Sequence, residues 1–340
     1  MNSNLPILTG LLRDVSRSFH LTLRVLPVAV RPQIGLAYLL ARATDTIADT
    51  ELVPMEQRLA ALDRLRSRIL GQSTAALEFG ELAQTQGLPA ERQLLERCEE
   101  ALVILGSFKS DDQQRIRDVL TTITSGQELD LRRFSGASVN AISALGSEAE
   151  LLDYIYRVAG CVGEFWTRVC RSALFPKSTV TEDWLIARGV QFGQGLQLVN
   201  ILRDLPRDLR QGRCYLPADG LAKLGLAASD LLDSQNEARF RPLYDHYLDL
   251  AMRFLSVGWD YTNALPRGQM RVRLACAWPI LIGVKTLERL RDGRVLDPDM
   301  RIKISRRDVR SVIFGTLLRY PFDNAWKAQY QWAPRFSKTS

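Results

Sequence analysis

The sequence predicts an all-α bundle. Three features carry that prediction: apolar residues recur at helical spacing along nearly the whole chain, strictly alternating strand patterns are scarce, and clusters of Gly, Pro, Ser and Asp separate the periodic segments. With 340 residues, 46% hydrophobic and 24% charged, the chain can bury a substantial core. Nothing reads as a linker rich in Gly, Pro or Ser, and no internal repeat is visible, so one domain over residues 1–340 is expected.

The elements follow in order. The segment 34-IGLAYLLARATDTIADT-50 is apolar around a polar stripe, and 51-ELVPMEQ-57 ends it at a proline. In 59-LAALDRLRSRIL-70 the leucines and isoleucine at 59, 62, 65 and 69 fall on one helical face. The same spacing places Leu94, Cys98, Ala101 and Leu105 together in 94-LLERCEEALVIL-105, and Ile116, Leu120 and Ile123 in 115-RIRDVLTTITSGQELDL-131. Breaks at 106-GSFKSDDQ-113 and 134-FSGASVNA-141 bound the latter. Helices are again expected over 151-LLDYIYRVAGCVGEFW-166 and, after 175-FPKSTVTED-183, over 191–210. The break 211-QGRCYLPADG-220 leads to 243-LYDHYLDLAMRFLSVGWDYTNAL-265, and 292-DGRVLDPDM-300 closes the segment 275-ACAWPILIGVKTLERL-290. Roughly ten helices and no obligatory sheet result.

The net charge of +7 favours a polyanionic partner: nucleic acid, an anionic membrane face or a phosphorylated small molecule. Five cysteines (98, 161, 170, 214, 276) without a C-x-x-C spacing suggest neither a disulfide framework nor a zinc site, which fits a cytoplasmic setting. The longest clean apolar stretch, 275-ACAWPILIGV-284, is about half of the ~20 residues a membrane span requires. A soluble or peripheral protein is expected. Only His20 and His246 are present, so catalysis by Ser/His/Asp or Cys/His systems has little material, and carboxylates with bound metal are the remaining route.

Positions 38, 42, 45 and 49 share one helical face, which puts Tyr38, Arg42, Asp45 and Asp49 in a polar stripe on an apolar element. One D-x-x-x-D is commonplace by chance and by itself reads as the solvated face of an amphipathic helix. A second, Asp204 and Asp208, follows Gln197 and Asn200 in 191-QFGQGLQLVNILRDLPRDLRQGRCYLP-217, and arginines accompany both pairs. Magnesium takes oxygen ligands and bridges a few carboxylates to substrate phosphates, and bound cations relieve the repulsion among four carboxylates. The pattern therefore points to Mg²⁺ and diphosphate. Pro206 should kink the second helix and alter the direction of Asp208.

The stretches 16-SRSF-19, 42-RATDTIAD-49, 154-YIYRVAGCVGE-164 and 197-QLVNILRDLPRDLRQGRCYLP-217 together resemble the squalene/phytoene synthase family of head-to-head prenyltransferases, and the motif-bearing part covers about 14–290. The resemblance implies an isoprenoid-synthase bundle holding two farnesyl diphosphates. It implies that Asp45, Asp49, Asp204 and Asp208 bind Mg²⁺, and that Ser16, Arg17, Ser18, Phe19, Tyr38, Arg42, Gln197, Asn200, Arg203 and Arg213 bind substrate. Tyr154 matches a tyrosine that stabilises or deprotonates a carbocation; without the motif it would read as a packed core aromatic. Gly160, Gly163, Gly193 and Gly195, with Ala159, would make room either for prenyl chains or for close helix packing.

The C-terminal part, 275–290 and 301-RIKISRRDVRSVI-313 within an extension over 291–340, looks like that of squalene synthases. This implies NADPH binding through Lys303 and Arg306, although Ser305 and Ala275 depart from the pattern. The implied reaction forms presqualene diphosphate and reduces it to squalene; the alternative is an enzyme that stops at presqualene diphosphate or makes dehydrosqualene or phytoene. Terpene cyclases and head-to-tail prenyltransferases also pair aspartates on all-α folds but leave SRSF, VAG-x-VG and N-x-x-R-D unexplained. A basic protein binding nucleic acid would leave the carboxylates as decoration, so no nucleic acid is expected. Peripheral membrane contact is expected from the charge and the aromatic tail 326-WKAQYQWAPRF-336.

Overall fold

The computed structural model describes residues 5–15, 19–297 and 302–330. The first helices are α1 (Leu5–Val15), α2 (Phe19–Val25), α3 (Arg31–Ala48) and α4 (Met55–Ile69). The short α5 (Glu81–Gln84), α6 (Pro89–Glu96) and α7 (Cys98–Gly106) precede the long α8 (Ser110–Arg133). Next come α9 (Glu148–Ile155), α10 (Cys161–Leu174), α11 (Glu182–Arg210) and α12 (Ala218–Lys223). The chain continues with α13 (Glu237–Ala264), α14 (Met270–Asp292), α15 (Arg306–Arg319) and α16 (Asp323–Lys327). The fold is all-α, as its apolar periodicity predicts, with breaks where Gly, Pro and Ser cluster. Contacts divide it into two compact units, residues 1–135 with 164–182 and residues 136–163 with 183–340.

In the first unit α3 is the hub, packing against α1, α4, α6, α7 and α8. Pro32 suits its first turn, where the missing N–H costs nothing. Leu36, Leu39, Leu40, Ala43 and Ile47 are buried along it, and each buried Leu or Ile contributes about 1.5–3 kcal/mol. That apolar anchorage lets the helix carry charged groups at its far end. The segment 94–105 is two helices rather than one, with Arg97 between them at φ −105° and ψ 15°.

In the second unit α13 packs along α14, and α14 along α15. Two strands not anticipated from the sequence, β1 (Ser143–Leu145) and β2 (Arg213–Pro217), pair in parallel with Ser143 opposite Arg213 and Ala144 opposite Cys214. They are three and five residues long, too short to set up a detectable alternation. Tyr156–Gly160 is a π-helical turn between α9 and α10. The α11 helix continues through Pro206 to Arg210, so the proline does not end it before Asp208.

Two aspartate pairs at helix ends

On α3 the polar stripe forms as its spacing requires. Arg42 donates one guanidinium nitrogen to Asp45 and the other to Glu91 of α6, and Tyr38 lies near enough to act electrostatically on Arg42. Burial and the neighbouring Asp49 carboxylate push the Asp45 carboxyl above the usual carboxylate range, while Arg42 pulls it down. The side chain keeps 41% of its surface, so water screens part of that rise. Asp49 is exposed and closes the helix, its backbone N–H donating to the Asp45 carbonyl at 2.9 Å. The last turn of α3 holds no basic residue. A helix C-terminus is electronegative and disfavours carboxylates, so a cation near these two would be stabilising.

The second pair sits in the final turns of α11. Arg203 grips Asp204 bidentately at 2.8 and 2.6 Å, and Arg207 donates to Asp208 Oδ1 at 3.4 and 3.3 Å. Asp208 is only 8% exposed. Burial pushes its carboxyl up to about 6, with Asp204 adding to the rise and Arg207 and Arg213 opposing it. Despite Pro206, then, Asp208 stays within electrostatic reach of Asp204. One turn and more upstream, the Asn200 amide donates to Gln197 Oε1 at 3.5 Å, which places both on one face.

The donor set fits magnesium: each pair offers two hard oxygen ligands and leaves coordination positions for water and phosphate oxygens. Among the described residues no group of three or more His, Cys, Asp or Glu is placed to hold a metal, so each pair stands as two carboxylates. All five cysteines are buried, and none forms a disulfide.

Tyr154, on α9 immediately before the π turn, is buried and stacks on Tyr215 of β2 at 4.9 Å between ring centroids. A π turn widens a helix locally and is a recurrent feature of functional sites. The small residues beside it serve helix packing. A Cβ on Gly163 would lie 1.8 Å from the Gly189 carbonyl oxygen, and one on Gly193 would lie 2.2 Å from the Ala159 carbonyl oxygen. The backbone of α11 approaches α10 at the first point and the π turn at the second as only glycine permits.

Sequence reasoning missed Glu91, which no local pattern links to Arg42 49 residues away, and Tyr215, whose place depends on the β1–β2 pairing. Of the remaining candidates, Phe19 opens α2, and Ser16, Arg17 and Ser18 lie outside the described residues. Lys303 and Arg306 are exposed at the start of α15, where Arg289 donates to the Lys303 carbonyl. Ser305 is the N-cap of α15 and forms a capping box with Asp308. The described part of the aromatic tail turns inward: Trp326 is buried, stacks on Trp259 and donates to Asn263 at 2.8 Å, and Tyr330 donates to the Met252 carbonyl. No helix of the described residues is long and apolar enough to cross a membrane.

The sequence matches the squalene/phytoene synthase family over residues 12–308. It is 32% identical to a bifunctional lycopene cyclase/phytoene synthase of Blakeslea trispora over 231 residues, 65% of this chain and 34% of that one. It is 33% identical to a presqualene diphosphate synthase of Rhodopseudomonas palustris over 213 residues, 63% of this chain and 62% of that one. Aligned stretches amount to 34% to 48% of the length of the bifunctional lycopene cyclase/phytoene synthases it matches. Among solved structures, TcSQS with the ligand E5700 superposes with a TM-score of 0.76 at 20% identity, covering 97% of this chain and 92% of that chain.

Proposed function

Because the chain belongs to the squalene/phytoene synthase family, we propose that it joins two farnesyl diphosphates head to head through presqualene diphosphate and, with NADPH, reduces the product to squalene. The observation that carries this reading is the doubled arrangement of two aspartates four residues apart at a helix end, each set with an arginine gripping one carboxylate.

Asp45 and Asp49, and likewise Asp204 and Asp208, would hold Mg²⁺, whose charge favours departure of diphosphate. The chain's own groups account for the rest. Arg42 and Arg203 are fixed beside the carboxylates by ion pairs, so their remaining donors are oriented for phosphate oxygens rather than recruited at the moment of reaction. Gln197 and Asn200 share a face on the same helix, upstream of Asp204 and Asp208, and add neutral donors there. Tyr154 presents a hydroxyl and an electron-rich ring, stiffened by its stack on Tyr215, suited to a carbocation and to the proton it loses. Lys303 and Arg306 would meet the 2′-phosphate of NADPH.

A second reading, in which the enzyme stops before reduction, is favoured by Ser305, which caps α15 where a basic residue would otherwise add to the cluster. Relatives called phytoene synthase and presqualene diphosphate synthase point the same way. Incubation of the purified protein with Mg²⁺ and farnesyl or geranylgeranyl diphosphate, each in turn, followed by product identification, tests the common core: no coupled product from either would overturn it.

A further inference from the structure

The exposed face of α15 changes character along its length. At about 100° per residue, positions 307, 310, 314, 317 and 318 fall within an arc of about 100°, and Val312 and Thr316, which are buried, lie on the opposite side. The first half of the arc is basic, with Arg307 and Arg310 exposed. The second half is apolar, with Phe314 65% exposed, Leu317 41% and Leu318 58%, and Phe322 exposed just beyond the helix end. Neither Arg307 nor Arg310 has an ion-pair partner among the described residues, whereas Arg289 nearby is paired with Asp308.

Four large apolar side chains exposed within nine residues, beside guanidinium groups with no ion-pair partner among the described residues, are a costly arrangement for a surface that faces only solvent. Their order has a physical use. Arg307 and Leu318 are separated by about 16 Å along the helix axis. An α15 inclined to a bilayer could sink its C-terminal half into the acyl boundary while its N-terminal half stays among the headgroup phosphates. Anionic lipid supplies both the negative charge for the arginines and the apolar medium for the phenylalanines and leucines. We infer that this face of α15, with Phe322, docks the protein on an anionic lipid surface. The site differs from the aromatic tail, whose described residues pack inward, and it stands whether or not the chain performs prenyl transfer.

The test is flotation of the full chain with vesicles of phosphatidylcholine alone and with 30% phosphatidylglycerol, at low salt and at 0.5 M NaCl. The wild type should partition at least tenfold more to the anionic vesicles and lose that preference in high salt. A Phe314→Ser/Leu318→Ser variant and an Arg307→Glu/Arg310→Glu variant should each partition at least tenfold less; both pairs are exposed, and circular dichroism melts will show whether folding is retained. The wild-type salt and lipid comparisons need no variant. Equal binding to neutral vesicles, salt-insensitive binding or undiminished flotation of the Phe314→Ser/Leu318→Ser variant overturns the proposal. So does the absence of vesicle binding, with or without a concentration-dependent dimer that the same variant dissociates; such a dimer would make the patch a contact between two copies.

Discussion

At the residue scale, the aspartates bear a burden that their positions do not relieve. Asp45 and Asp49 occupy the electronegative end of α3, and Asp208 is buried with a carboxyl raised to about 6, so a cation beside them would stabilise them as anions. Their type and place make sense as cation ligands. Asp45→Asn or Asp204→Asn should therefore lower turnover by more than the roughly 10- to 100-fold typical of outer-shell partners of a metal, with an unchanged circular dichroism spectrum. Near wild-type turnover at saturating Mg²⁺ would remove that residue from the ligand set. Arg42 raises a separate point, because it neutralises Asp45 and Glu91 together. Arg42→Ala removes the counter-charge that two half-buried carboxylates share and should cost about 1–2 kcal/mol after allowance for their partial exposure, read as a lower denaturation midpoint. The stripe that holds Arg42 could be read from its three- and four-residue spacing. Glu91 could not, since only the tertiary packing of α6 on α3 brings it near.

At the element scale, the glycines of α10 and α11 decide a question that the sequence leaves open. Room for a ligand would leave empty space where a Cβ would go, and instead carbonyl oxygens stand there. Gly163→Ala or Gly193→Ala must displace backbone, and a loss of roughly 2–4 kcal/mol is expected in chemical denaturation. Gly10→Ala makes the opposite control. Nothing lies within 4 Å of its Cβ position, it is within α1, and alanine there should gain up to about 1 kcal/mol. The helices of fifteen residues or more announced themselves because their apolar period repeats three times or more. The β1–β2 pair did not, because strands of three and five residues from distant parts of the chain pair through backbone groups that carry no side-chain signature. The π turn was equally hidden, since one extra residue in a helical period is smaller than the scatter of the pattern itself.

At the scale of the whole molecule, the open question is where the reaction ends, and the start of α15 bears on it from both sides. Lys303 and Arg306 are exposed and basic, as contact with a 2′-phosphate requires. Between them Ser305 accepts the Asp308 backbone N–H at 3.1 Å, and Asp308 in turn receives the Ser305 backbone N–H at 3.0 Å. The departure at Ser305 therefore has a structural use: it fixes the helix start that carries Arg306, and Ser305→Ala should cost about 1 kcal/mol of helix stability. A cluster with one basic residue fewer but a pinned geometry can still select a phosphate, so the substitution weakens the argument for reduction without removing it. Burial of a farnesyl chain, at about 0.8 kcal/mol per CH₂, serves every candidate product alike and cannot discriminate among them. The hydride source can. Coupling to presqualene diphosphate consumes no reductant, and only the second stage does, so NADPH should convert the product from presqualene diphosphate to squalene. A Lys303→Glu/Arg306→Glu variant should still form presqualene diphosphate, while its apparent KM for NADPH rises at least tenfold. Presqualene diphosphate, dehydrosqualene or an alcohol persisting under ample NADPH in the wild type would place the chain among the non-reducing members and leave the aspartate assignments untouched.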